Sequence, residues 1–176
     1  MKKTTWIART AICLALLICL QFATKSLGQI VTGSCVNLVL AMAALFGGVW
    51  SGVVVAAVSP FFAWLLGIGP AFIQLVPCVA LGNVVYALLF GLAVRPLLRK
   101  KWLGGLIAMV AAAACKFLAL YVVLVRLVAP SVVPAAKLTT VTAAFTWPQL
   151  ATACIGGVIA CLIAPVVNKA LDAKKS

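Results

Sequence analysis

The sequence predicts an all-α integral membrane protein, a bundle of six transmembrane helices with both termini cytoplasmic. Three observations carry that reading. Of the 176 residues, 66% are hydrophobic and 9% charged, a balance far from that of soluble domains. The apolar residues fall into six runs, at about 5–24, 30–47, 51–68, 71–94, 103–128 and 145–167, near the roughly 20 residues a helix needs to cross a bilayer. Basic residues collect at the edges of these runs, as residues that set membrane orientation do.

The runs use nearly the whole length, so residues 1–176 are expected to form a single membrane domain with no soluble domain beside it. In the first, MKK precedes an apolar stretch from Ile7 to Leu20 and polar QFATKS follows, which also fits a secretory signal peptide. Arg9 and the lack of a clear small-x-small cleavage site favour a retained span. The second and third runs lie in a stretch, residues 30 to 69, that contains no charge. Only FGGVWSG marks a turn, and a break is expected at Gly47–Gly52. Further breaks are expected at Lys25–Gln29, Gly67–Pro70, Arg95–Lys101 and Pro130–Thr142.

With six spans the termini share a side. Lys2, Lys3, Arg9, Arg95, Arg99, Lys100, Lys101, Lys169, Lys174 and Lys175 then fall together, against Lys25, Arg126 and Lys137 opposite. Ten against three places the first group in the cytoplasm. The formal charge of +13 therefore reads as topogenic. No stripe of Lys or Arg interleaved with aromatics points to nucleic acid.

Asp172 is the single acid and there is no histidine. That removes the carboxylate pair, the Ser/His/Asp or Cys/His set and the intramembrane acid typical of proton-coupled carriers. No GxxxxGK[ST] motif occurs, so ATP hydrolysis would belong to another polypeptide. Cysteines 13, 19, 35, 78, 115, 154 and 161 are scattered singly, without CxxC spacing, and read as small apolar fillers. No metal site is expected. An intramembrane enzyme is disfavoured on the same grounds, and binding is the functional reading.

Against this background Lys116 stands out, in MVAAAACKFLALYVVLV (109–125). An ammonium there must be paired, hydrated or deprotonated, and from mid-span its side chain does not reach the surface. Ala112, Ala113 and Ala119 beside it are small and admit a partner helix or a ligand. Counting from the outer ends of their spans, Asn83 and Lys116 share a depth of roughly 16 to 18 Å, so the two can meet each other or one ligand. Asn83 as a purely interhelical hydrogen bond is the plainer alternative. TWPQL opens the sixth run, with Pro148 in its first turn and Trp147 and Gln149 at the outer entrance; a Trp there also serves as an interface anchor. Gln74 is the strongly polar residue of LGIGPAFIQLVP, and only a kink at Pro77 would turn it toward Asn83. Thr32, Ser34 and Asn37 add polar groups at the outer end of the second run, where they either face a ligand or only pack. Ala11 and Ala15 in the first run, and Ala153, Gly157, Ala160 and Ala164 in the sixth, form smooth stripes suited to close helix contact.

The stretches TGSCVNLVLAMAALFGGVWSG (32–52), GIGPAFIQLVPCVALGNVVYALLFG (67–91), AACKFLALY (113–121) and WPQLATACIGGVIA (147–160) resemble the S components, the substrate-binding membrane subunits, of energy-coupling factor (ECF) vitamin transporters. PxxALGN, ending at Asn83, carries most of the resemblance. It implies six helices and an outward-facing pocket from the outer halves of spans 4 to 6, capped by loops 1/2 and 3/4. It also implies a vitamin-like small molecule as substrate and a place in the bacterial cell membrane as a multi-pass protein. The implied partners are a transmembrane T subunit and two ATPase subunits, which use the ATP, so that this chain needs no cofactor. The family's AxxxA docking motif in the first helix matches Ala11 and Ala15. The candidate substrate-binding residues are thus Lys116, Asn83, Gln149, Trp147, Gln74 and Asn37. Lys116 favours a carboxylate or phosphate on the ligand, since the spans offer no acid to neutralise it. The competing expectation is a structural or assembly protein in which Asn83 and Lys116 are consumed by contacts between helices.

Overall fold

The computed structural model describes residues 3–173, with side chains to Val167. Lys2, Lys174 and Lys175 of the charge comparison lie outside the described residues, as do the side chains of Lys169 and Asp172.

Helix α1 spans Lys3–Thr24 and tightens into a 3₁₀ turn, Lys25–Leu27. Gly28, at φ 89°, then reverses the chain in a conformation that only glycine adopts without strain. Helix α2, Gln29–Met42, runs on through a wide π-helical turn, Ala43–Gly47. The expected break at Gly47–Gly52 narrows to Gly48, at φ 94°, and Ser51 and Gly52 already belong to α3, Val49–Leu65. Arg9 fixes this end of the molecule by donating from Nη1 to the Phe46 carbonyl at 3.0 Å, where a helix end leaves carbonyls unpaired and favours a cation.

The stretch 66–72 is irregular, and a 3₁₀ turn, Ile73–Leu75, leads into α4, Val76–Leu89. The fourth helix therefore starts later than residue 71, and Pro77 initiates it without kinking it, since the first turn needs no proline N–H. At the other end the chain stays helical through the expected break at Arg95–Lys101. A π turn at Phe90–Val94 passes into α5, Arg95–Lys100, and the helix stops only at Lys101, which is extended. Pro96 lies in the first turn of α5, and the wide turn before it accommodates its missing N–H.

Helix α6, Trp102–Ala119, continues through a π-helical stretch, Leu120–Val128, and a last turn α7, Ala129–Val132. The expected break at Pro130–Thr142 is largely helical: α7 ends inside it, and α8, Ala135–Ala144, fills most of the rest. None of α8's side chains is buried. Helix α9, Trp147–Ala173, completes the chain.

Among the described residues all regular structure is helical. Five helical stretches are long and apolar enough to cross a membrane: Lys3–Leu27, Gln29–Gly47, Ile73–Lys100, Trp102–Val132 and Ala135–Val167. The 17-residue α3 is a shorter apolar helix, about 25 Å long against a hydrocarbon core of about 30 Å.

Helix α2 lies along α9, α6 packs on α4 and α9, and α1 and α3 close the bundle on the side of α2 and α4. Glycines set the closest approaches. A Cβ on Gly156 would stand 2.6 Å from Leu38 N and Ser34 O, both backbone atoms of α2, and one on Gly82 would stand 2.6 Å from the Leu120 side chain. The apolar interior divides in two. A larger cluster includes Leu17, Leu40, Tyr86, Phe90, Met109, Ala153 and Ala160. A smaller one, toward α7 and α8, contains Leu75, Cys78, Leu120, Leu124 and Phe145.

Candidate functional site

Lys116 lies in α6 between these clusters, one turn after Ala112 and Ala113 of the larger and one turn before Leu120 of the smaller. Asn83 of α4 lies at the same seam, between Cys78 and Tyr86. With no side chain at Gly82 to hold α4 away from Leu120, Asn83 comes within bonding distance of the lysine. On the opposite side Gly33 admits Thr152 of α9, whose side chain a Cβ at Gly33 would meet at 2.8 Å. That close approach seats Asn37, one turn along α2, beside the same amine.

The lysine Nζ donates to Asn83 Oδ1 at 2.7 Å and to Asn37 Oδ1 at 2.6 Å. Both are short bonds. Nζ also stands 5.4 Å from the centre of the Tyr86 ring, within the range at which an aromatic face attracts a cation. The three polar residues are 1 to 3% exposed. The network extends outward: Asn37 Nδ2 donates to Gly33 O at 2.9 Å and to Thr152 Oγ1 at 3.2 Å, and Thr152 Oγ1 donates to Gln149 O at 3.2 Å. Tyr86 donates its hydroxyl hydrogen to Ala153 O at 2.8 Å. The Lys116 amine is thus held at mid-span by two neutral oxygens from two other helices.

The equal depth expected of Asn83 and Lys116 is seen as a direct bond, and Asn37 joins them. The other candidates stand apart. Gln149 Nε2 donates to Ala144 O at 3.3 Å, across the turn between α8 and α9. Trp147 is 67% exposed, and Gln74 is exposed on the 3₁₀ turn before α4. Gln74 is exposed and Asn83 buried, so the two do not converge. Two further residues belong to the cluster: Thr152, one turn after the noted Gln149 on α9, and Tyr86, one turn after Asn83 on α4. Their only sequence signal is that i, i+3 spacing. Among the described residues no group of acids, cysteines and histidines is placed to hold a metal ion. Ala11 and Ala15 lie on the exposed face of α1.

Comparison with curated proteins and with solved structures returns no match. A family model described as "ECF transporter, substrate-specific component" matches residues 6–168, a stretch that contains the whole Lys116 cluster and Ala11 and Ala15. The chain therefore belongs to the substrate-specific S components of ECF transporters, multi-pass membrane proteins of transport and not enzymes.

Proposed function

We propose that this chain captures a vitamin-like small molecule bearing a carboxylate or phosphate, for ATP-driven import. In this reading one membrane domain crosses the bacterial plasma membrane six times with both termini in the cytoplasm. The solute arrives from outside, past Gln74, Trp147 and Gln149, and its anionic group meets Lys116 between Asn37 and Asn83. A transmembrane T subunit docks on Ala11 and Ala15, and two ATPase subunits supply the work, so the chain itself holds no cofactor.

The observation that carries this reading is the Lys116 amine, buried and bonded to two amide oxygens. Two neutral acceptors stabilise a buried charge less than an anion does, and the cluster lies at a seam between the two apolar clusters. Asparagine suits such an exchange. When an oxyanion takes the place of Oδ1 at the lysine, the same side chain can present Nδ2 to it.

The test is native mass spectrometry of the purified protein to identify a co-purified solute, followed by titration of that solute into wild type and Lys116→Met. Loss of a charge-assisted bond is worth about 1.5 to 3 kcal/mol, so the variant should bind roughly 10- to 150-fold more weakly. Unchanged affinity would remove the counter-ion role. The mutual satisfaction of Lys116, Asn37 and Asn83 favours a second reading, in which the three only tie α2, α4 and α6 together. That reading predicts a stability loss in the variant with no change in solute binding.

A further inference from the structure

A cavity of about 170 Å³ lies at the end of the bundle where α2 finishes, lined by Leu45, Arg95, Leu98, Arg99, Ala164 and Pro165. Asn83 is 12 residues from Arg95 along a continuous helical stretch, about 18 Å, so this cavity is separate from the lysine cluster. Its volume is below the roughly 300 Å³ at which pockets for whole small-molecule ligands begin. It matches a single charged group better than a vitamin.

The lining is built for such a group. Arg95 and Arg99 are one helical turn apart, which puts both guanidinium groups on one side of α5. Like charges at that spacing repel, and an anion between them turns the repulsion into two attractions. Arg95 is partly buried and Arg99 is exposed, so one anchors the inner wall and the other stands at the mouth. The sequence holds one acid, Asp172, against fourteen basic residues. Leu45, Leu98, Ala164 and Pro165 form the apolar remainder of the wall. Two cations over an apolar floor, at the surface end of membrane helices, fit an amphiphile with a phosphate head, and the planar guanidinium fork matches phosphate oxygens in pairs.

We propose that this cavity binds a phosphate group, carried by a phospholipid headgroup or by free phosphate. The test uses delipidated full-length protein in detergent, titrated by native mass spectrometry with phosphatidylglycerol and with diacylglycerol of the same chains. Phosphatidylglycerol should bind the wild type, and R95Q/R99Q should weaken it roughly tenfold or more while leaving diacylglycerol unaffected. R95K/R99K, which keeps charge and loses the fork, should fall between. Displacement of the lipid by millimolar inorganic phosphate assigns the site to the free anion, and persistence of the lipid assigns it to the headgroup. K100Q/K101Q removes the same charge from residues outside the cavity. The proposal is overturned if that control loses as much affinity as R95Q/R99Q, or if R95Q/R99Q binds as the wild type does.

Discussion

Lys116 and its two amide partners differ in what their removal leaves behind, and this orders their variants. Asn83→Leu leaves the buried lysine one acceptor short, so the lost bond, about 1.5 to 3 kcal/mol for a charged donor, comes with an unsatisfied buried N–H. Lys116→Met removes the charge and leaves two asparagines that can bond to each other, so about 1 to 3 kcal/mol is expected. Denaturant unfolding in detergent should therefore rank Asn83→Leu as the more destabilised variant, and the reverse order would mean that the amine is not the charged centre of the cluster. Tyr86→Phe should cost about 1 kcal/mol through its bond to Ala153. The lysine itself was legible in the sequence as a charge in an apolar run, and its depth beside Asn83 followed from the rise per residue. Its bond to Asn37 was not, because the rotation of α2 about its own axis depends on glycine contacts with α9 that no single-helix pattern records. Tyr86 was hidden for another reason: in an apolar span an aromatic reads as core, and only the Nζ above its ring distinguishes it.

At the scale of helices, composition placed the apolar runs well and their ends less well. Glycine at positive φ stops a helix sharply, so Gly28, Gly48 and Gly67 fall within the expected breaks. Charge and proline mark the membrane edge without unwinding the helix, so Arg95–Lys100 remains helical where a break was expected. The small-residue stripe on α9 was legible as a contact surface, and Ala153, Ala160 and Ala164 are indeed buried. The tightest approach is instead Gly156, beside the stripe, where a Cβ would press on the backbone of α2. Because backbone cannot rotate aside, Gly156→Ala should destabilise the protein by about 1 to 3 kcal/mol. Gly104→Ala, with its nearest contact at 3.8 Å, should be neutral or stabilising by up to about 1 kcal/mol through helix propensity. Unfolding midpoints of the two variants, measured side by side, separate close packing from a general glycine effect. Equal midpoints would mean that α2 and α9 can part without cost.

For the whole molecule, the family assignment calls for one surface for the solute and another for partner subunits, and the docking proposed on α1 can be tested on its exposed face. This helix is the least enclosed of the helices long enough to cross a membrane. Its exposed face alternates small Ala8, Ala11 and Ala15 with large Ile7, Ile12 and Leu16, a relief that lets another helix seat closely in lipid, where packing between backbones replaces the hydrophobic effect as the driving force. Its inner face is tied down by Thr10, which donates to Ser51 Oγ at 2.9 Å or to Trp6 O at 2.8 Å, and by Arg9 on Phe46. Substitutions on the outer face should therefore leave the bundle intact. Ala11→Trp/Ala15→Trp is expected to unfold at the wild-type midpoint and to bind the identified solute with wild-type affinity. When co-expressed with the T and ATPase subunits, it should recover them at roughly a tenth of the wild-type yield or less, the loss expected when a close helix contact worth at least about 1.4 kcal/mol is blocked. Pull-down and solute titration on the same preparation decide the matter. Full recovery of the partners would move docking to another face, whereas joint loss of solute and partner binding would mean that α1 supports the fold of the Lys116 cluster and is not a separate docking surface.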